Sequence, residues 1–192
     1  MHKGRLEAFS DGVLAIILTI MVLEIKVPHG SDFAALAPIW PVFLSYALSF
    51  LYVGIYWNNH HHLLQAAKHV NGAVLWANLH LLFWLSLLPF VTGWVGENHF
   101  PPAAVLLYGF VLFAAGTAYY VLVRTLLRAH PADHVLAKAI GDDFKSRASL
   151  VIYLVGLGAT FVRPWLGMIC YSAVAVMWLV PDRRIERHLG NS

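Results

Sequence analysis

Charged residues are scarce in this chain. Only 12% of its 192 residues are Asp, Glu, Lys or Arg, whereas 59% are hydrophobic. Soluble domains typically contain about 25% charged and about 45–50% apolar residues. The shortage of charge therefore excludes an ordinary soluble domain and places the chain among membrane proteins. The net charge of +3 does not indicate a nucleic-acid partner, because the basic residues are separated by long apolar runs.

Cysteine and the common catalytic motifs are also lacking. The one cysteine, Cys170, lies in an apolar run and cannot form an intrachain disulfide. The chain contains no HExxH motif, no Gly-x-Ser-x-Gly elbow and no glycine-rich phosphate loop. No loop is long enough to form a soluble catalytic domain. We therefore expect no enzyme activity and no cofactor, and a function that resides within the membrane.

Long apolar runs are what the sequence does contain. A membrane-spanning helix needs about 20 mainly apolar residues. The runs predict a single all-α domain with six spans, near residues 5–26, 38–64, 73–95, 103–127, 146–162 and 164–180. Pro164 should separate the last two spans, and Pro89 should kink the third. The loop near 128–146 has helical spacing and predicts a short interfacial helix.

The distribution of basic residues predicts the orientation. With a cytoplasmic N-terminus, only Lys26 and Arg163 fall outside. The residues placed inside or at the inner interface are Lys3, Arg5, Lys68, Arg124, Arg128, Lys138, Lys145, Arg147, Arg183, Arg184 and Arg187. This bias follows the positive-inside rule. We expect both termini to be cytoplasmic and the protein to lie in the cell membrane.

The first span combines an aliphatic stripe with charged residues. At about 100° per residue, Ile16, Ile20 and Leu23 align on one side, with Thr19 close by. Asp11 and Glu7 point in the opposite direction. The pattern alone favours lipid contact or packing for the stripe. It favours a structural hydrogen bond to a neighbouring helix for Asp11.

Three successive histidines, His60, His61 and His62, end the second span. Adjacent helical residues diverge by about 100°, so the three rings cannot converge on one ion. We expect His60 to bond a buried acid instead. A metal-dependent intramembrane enzyme or metal transporter that uses these histidines and Asp11 stays open as an alternative. Asn78 should hold helices together by hydrogen bonding.

These residues resemble a known family. The first span begins with the pattern R-x-x-x-F-S-D, formed by Arg5, Phe9, Ser10 and Asp11. The further matching positions are Ala15, Ile16, Thr19, Leu23, Ser49, Phe50, Trp57, His60, Asn78, Pro89 and Phe90. Together, over residues 5–90, they resemble prokaryotic members of the transmembrane protein 175 family, the lysosomal potassium channels.

The resemblance implies a homotetramer of six-helix subunits in which the first helices line a central pore. No TVGYG filter is present; the segment Thr92–Gly96 reads TGWVG and no pore helix precedes it. Carried over by position, the constriction is Ile16, continued by Ile20 and Leu23. Thr19 would add a ring of hydroxyl groups.

The same resemblance places Arg5, Phe9, Ser10 and Asp11 in a structural network. Its expected partners are Trp57, His60 and Asn78. The implied function is a potassium-preferring cation channel with modest discrimination against sodium, because no carbonyl cage replaces the ion's hydration shell. The alternatives are a proton-conducting channel, the metal-dependent protein described above, and a scaffold subunit without transport.

Overall fold

A computed structural model of the chain describes residues 3–130 and 144–179, which form helices and no β-strand. The α-helices are α1 (Lys3–Leu23), α2 (Trp40–Ala66), α3 (Gly72–Ser86), α4 (Leu88–Glu97), α5 (Pro102–Ala129), α6 (Phe144–Val162) and α7 (Pro164–Leu179). A 3-10 helix, Phe33–Ile39, leads into α2. The all-α fold expected from the sequence is confirmed.

Within the described residues, five segments are long and apolar enough to cross a membrane: Lys3–Leu23, Phe33–Ala66, Gly72–Glu97, Pro102–Ala129 and Phe144–Val162. The apolar helix α7 follows as a sixth and has 16 residues. The interfacial helix expected near 128–146 falls largely on residues outside the described ranges.

The third span is broken where the proline was expected to kink it. Helix α3 ends at Ser86 and α4 begins at Leu88, with Pro89 in the first turn of α4. Pro89 has no amide hydrogen, so it can begin a helix but cannot continue the hydrogen bonding of the preceding one. The segment Thr92–Gly96 lies within α4, so it is helical rather than a filter loop.

Local capping explains where two helices begin. The Asp32 carboxylate accepts a hydrogen bond from the amide of Ala35 at 3.3 Å, at the start of the 3-10 helix. The side chain of Asn71 accepts one from the amide of Val74 at 3.0 Å, at the start of α3. Such side chains satisfy amides that have no partner in the first turn.

Helix α5 lies at the centre of the bundle. It packs against α3 and α4 on one side and against α6 and α7 on the other, and α6 and α7 form a closely packed pair. Close approach depends on glycine: a β-carbon at Gly109 of α5 would collide with the ring of Tyr171 on α7. Helix α1 packs against α2, α3 and α4. It is therefore a peripheral helix with one side on the bundle.

A candidate pore-lining helix

The two sides of α1 differ in burial. The residues that pack on the bundle are Leu6, Ser10, Leu14, Ile17 and Met21. The opposite side is exposed along its length, and it includes the short residues Gly4, Ala8, Gly12 and Ala15. One chain therefore leaves a long strip of a membrane-spanning helix uncovered.

The residues that the family resemblance assigns to a constriction lie on this uncovered side. Ile16 is 58% exposed, Ile20 is 42% exposed and Leu23 is 80% exposed. Thr19 is exposed beside them, and its hydroxyl donates to the Ile16 carbonyl at 2.9 Å. Because this bond occupies the hydroxyl hydrogen, the oxygen lone pairs of Thr19 are left to face whatever covers the strip.

A buried network fixes the other side of α1. The Asn78 amide nitrogen on α3 donates to the Ser10 hydroxyl oxygen at 2.9 Å. The Asn78 amide oxygen is hydrogen-bonded to the Nε2 atom of His60 on α2 at 2.7 Å. Ser10, His60 and Asn78 are all buried. Three helices are thus joined through one asparagine, in a medium where unpaired polar groups are costly.

The partner of His60 differs from the sequence expectation. We expected His60 to bond a buried acid, and its partner is the neutral amide of Asn78. Asp11 points elsewhere: it is exposed, and its carboxylate accepts a hydrogen bond from the Trp57 indole on α2 at 3.1 Å. Asp11 is therefore hydrogen-bonded to α2, while Ser10 provides the connection to α3.

Arg5 and Phe9, the two remaining residues of the motif, are not drawn into the network. Both are exposed, and Phe9 keeps 54% of its surface accessible. Across residues 3–130 and 144–179, no side-chain hydrogen bond or ion pair to Arg5 is formed. These two side chains lie on the uncovered side of α1, beside the strip that holds Ile16.

Lys3 is an anchor that the sequence did not indicate. Its ammonium group donates to the carbonyls of Leu64 at 3.1 Å and Ala67 at 3.2 Å, at the end of α2, and lies 3.8 Å from the Glu7 carboxylate. A cation is stabilised there because the last carbonyls of a helix lack partners. The two carbonyls lie more than sixty residues away along the chain, so no local pattern reveals these contacts.

The histidine cluster does not converge. His60 is buried against Asn78, whereas His61 is exposed and stacks on Trp57 with ring centroids 6.1 Å apart. Within the described ranges, no three His, Cys, Asp or Glu side chains come together as a possible metal site. The successive histidines thus point in different directions, as helical geometry requires.

A second buried polar cluster joins α2, α4 and α5 near the other end of the bundle. The Ser49 hydroxyl lies 2.7 Å from that of Thr92 and 3.0 Å from that of Tyr108. Ser45 donates to the Thr92 carbonyl at 3.2 Å. The sequence does not indicate this cluster, because single hydroxyl groups in apolar helices form no pattern of their own. It holds the broken third span against its neighbours.

Known proteins match this arrangement over nearly its whole length. A potassium channel of Chryseobacterium sp. (strain P1-3) is 54% identical over 189 residues, which is 98% of each chain. The family model described as endosomal/lysosomal potassium channel TMEM175 matches residues 5–89. The chain belongs to the TMEM175 family. The family resemblance expected from the R-x-x-x-F-S-D pattern is therefore confirmed.

Two further matches extend the TMEM175 comparison. The crystal structure of a lysosomal potassium-selective channel TMEM175 homolog from Chamaesiphon minutus superposes with a TM-score of 0.78. That chain is 28% identical, and the match covers 93% of this chain and 96% of that one. The human endosomal/lysosomal proton channel TMEM175 is 38% identical over 101 residues, 46% of this chain and 20% of that protein. These relatives are ion channels and not enzymes.

Proposed function

We propose that this chain is the subunit of a potassium-preferring cation channel, a homotetramer in which four copies of α1 surround a central pore. The observation that carries the proposal is the division of α1 into two sides. A buried network holds one side, while Ile16, Ile20 and Leu23 are left uncovered on another. The names of the bacterial relatives support potassium as the permeant ion.

Lipid contact alone does not account for the uncovered side of α1. Arg5 and Thr19 are exposed there together with the aliphatic residues. Ionisable and polar groups within a membrane span normally face protein or water rather than lipid. Assembly around α1 would give Arg5 and Thr19 a protein or aqueous environment. Assembly would also cover Gly4, Ala8 and Gly12, whose small side chains permit close helix packing.

The apolar ring explains both gating and modest selectivity. Four Ile16 side chains around one axis form a narrow apolar constriction. Water is excluded from such a constriction, and a cation that enters it loses hydration without gaining other ligands. Conduction then requires the ring to widen. The hydroxyl oxygen of Thr19, about one turn further along α1, can coordinate a passing cation. Because no carbonyl cage surrounds the ion, preference for potassium over sodium should be modest.

The buried network positions the pore helix in this proposal. Ser10 is tied to Asn78, Asp11 to Trp57, and Lys3 to the end of α2. These three attachments lie near the start of α1, while the aliphatic residues lie nearer its end. The start of α1 is thus fixed to its own subunit by hydrogen bonds, and the region of the constriction is fixed by the packing of Ile17 and Met21. The basic end of the bundle, where α1 begins, is assigned to the cytoplasm, and the protein to the cell membrane.

Flux through reconstituted protein tests the pore axis. Ile16→Asn should hydrate the constriction and raise potassium flux into liposomes several-fold. Leu154→Asn is the matched control, because Leu154 on α6 is also apolar and 55% exposed but lies outside α1. Unchanged flux in Ile16→Asn, or an equal rise in both variants, would remove Ile16 from the pore axis. Background flux in every variant would favour a scaffold without transport.

A proton channel is the second candidate, because the human and chicken TMEM175 proteins are named proton channels. Reversal potentials measured under separate potassium, sodium and proton gradients distinguish the two. A reversal potential that follows the potassium gradient supports the first proposal. One that follows only the pH gradient supports the second.

A further inference from the structure

The buried side of α2 carries a series of hydroxyl groups, and one of them lacks a hydrogen-bond partner. The series recurs every three or four residues, at Ser45, Ser49, Tyr52 and Tyr56. The first three hydroxyls are hydrogen-bonded to residues of α4, α5 and α7. Tyr56 is only 8% exposed, and its hydroxyl forms no hydrogen bond with any residue that the structure describes. A buried tyrosine hydroxyl normally has a partner, so a further partner is expected here.

The Tyr56 hydroxyl faces a cavity of about 30 Å³ between α2, α5, α6 and α7. Gly116 of α5 forms part of its wall, and a β-carbon at Gly116 would lie 3.7 Å from the Tyr56 hydroxyl oxygen. The missing side chain of Gly116 therefore leaves the space in front of that oxygen. A single water molecule needs about 10–15 Å³ of such space, so the cavity has room for about two.

Other polar groups in the cavity wall can bind the same water. Asn59 lies one turn from Tyr56 on α2, and its amide nitrogen donates to a carbonyl of the preceding turn at 2.7 Å, which leaves its side-chain oxygen as an acceptor. On α6, the Ser149 hydroxyl donates to the Lys145 carbonyl at 2.7 Å and accepts from the Trp178 indole at 2.8 Å. One lone pair of Ser149 remains. Buried waters typically make about 2–4 hydrogen bonds, which this wall can supply.

The deep part of the cavity lies well inside the membrane. Tyr56, Gly116 and Tyr153 line it, and each is at least nine residues from the inner end of its helix. At 1.5 Å per residue, this places them roughly 13 Å or more from those ends. Hydrocarbon offers no hydrogen bonds at this depth, and an unpaired hydroxyl is costly there. A water molecule held inside the subunit would remove that cost.

We propose that this cavity is a hydration site inside each subunit, in which about two water molecules bind the Tyr56 hydroxyl and connect α2 to α6. Helix α2 packs against α1, α4 and α7, but its backbone scarcely approaches α6. The water fills the gap that this arrangement leaves. It also supports the helix that holds α1, because Trp57 and His60 of α2 belong to the network around Asp11 and Asn78.

Pulsed X-ray radiolysis of the purified full-length protein tests the site. The pulse converts water into hydroxyl radicals, which oxidise the side chains next to it, and mass spectrometry measures the oxidation of each tyrosine. Tyr56 should be oxidised several-fold faster than Tyr108 and Tyr171, which are fully buried outside the cavity. Gly116→Ala should reduce the oxidation of Tyr56 to the level of those two. Its new methyl group meets neighbours at no less than 3.4 Å, so it fits and occupies the space of the water.

Tyr56→Phe distinguishes a hydrated hydroxyl from an unpaired one. Loss of hydrogen bonds to bound water should lower the melting temperature by roughly 2–4 °C. In a dry cavity, the same change would remove an unpaired polar group and raise the melting temperature. Tyr46→Phe is the matched control, because Tyr46 is half-buried on α2 and lies outside the cavity; it should melt within about a degree of the native chain.

Either measurement can overturn the hydration site. Oxidation of Tyr56 as slow as that of Tyr171 would show that no water lies beside it. A melting temperature of Tyr56→Phe equal to or above that of the native chain would show that its hydroxyl has no partner. If Gly116→Ala does not fold, oxidation of the native chain and the melting of Tyr56→Phe still decide the question.

Discussion

Asn78 offers the sharpest test of how the first helix is held. Its side chain joins α1 to α2 through two buried hydrogen bonds, of 2.9 Å to Ser10 and 2.7 Å to His60. Asn78→Ala removes both bonds at once. Ser10 keeps a partner, because its hydroxyl also donates to the Leu6 carbonyl at 2.8 Å. The buried Nε2 atom of His60 loses its partner, because that partner is the Asn78 amide oxygen.

The loss can be estimated from these contacts. Interhelical hydrogen bonds in membranes contribute about 0.6 kcal/mol each, and two bonds give about 1.2 kcal/mol. A buried polar group left without a partner costs a further 1–3 kcal/mol or so. We therefore expect Asn78→Ala to lower the free energy of unfolding by about 2–4 kcal/mol. For a chain of this size, that corresponds to a fall in melting temperature of roughly 5–15 °C.

Thermal unfolding of the purified protein, followed by loss of the native peak on size-exclusion chromatography, measures this fall. Asn58→Ala is the matched control, because Asn58 is exposed on α2 and its side chain forms no hydrogen bond within the described residues. A double-mutant cycle of Ser10→Ala and Asn78→Ala should give a coupling of about 0.6 kcal/mol, and no more than about 1.7 kcal/mol. If Asn78→Ala unfolded within a degree or two of Asn58→Ala, the network would have no anchoring role.

Two further outcomes follow from the structure. Gly109→Ala should destabilise the protein by about 1–3 kcal/mol, because the new β-carbon meets the Tyr171 ring. Gly158→Ala is the control: a β-carbon there meets open space, so this variant should be neutral or stabilising. Equal melting temperatures of the two variants would contradict the close packing of α5 and α7. The Glu97 carboxylate, 2.7 Å from the Lys26 ammonium, raises the pKa of Lys26 from its ordinary value of 10.5. The stabilisation from this pair is thus fully present below pH 10.5 and declines as the pH rises through the raised pKa. Lys26→Met should therefore lower the melting temperature equally at pH 6 and pH 9; a difference that disappears by pH 9 would show that Lys26 is not held in its charged form.

The breaks between helices could be derived from the sequence because proline acts locally. The break at Pro89 and the separation of α6 from α7 at Pro164 follow from the missing amide hydrogen of proline. The start of α2 was less predictable: the segment from Phe33 to Ile39 is a 3-10 helix that precedes it. Apolar composition does not distinguish the two helix types.

The sides of α1 could be only partly assigned from the sequence. The helical wheel aligned Ile16, Ile20 and Leu23 correctly with one another, because their spacing is a property of the helix alone. It also suggested that the opposite side, with Asp11 and Glu7, packs on the bundle. In the structure, the residues of α1 that pack on the bundle are Leu6, Ser10, Leu14, Ile17 and Met21. Asp11 lies beside this buried side and is exposed. Which arc of a helix is buried depends on the positions of its neighbours.

The sequence by itself determined that this is a membrane protein of apolar helices, and its first motif indicated the TMEM175 family. Both depend on residues close together in the chain, whose spacing is visible without a fold. Only the tertiary structure showed that Asn78, rather than an acid, is the partner of His60, and that Lys3 is bound to the end of α2. Those contacts join residues 18 and 61 or more positions apart. Hydrogen bonds are short and directional, so partners at such separations are decided by how whole helices pack.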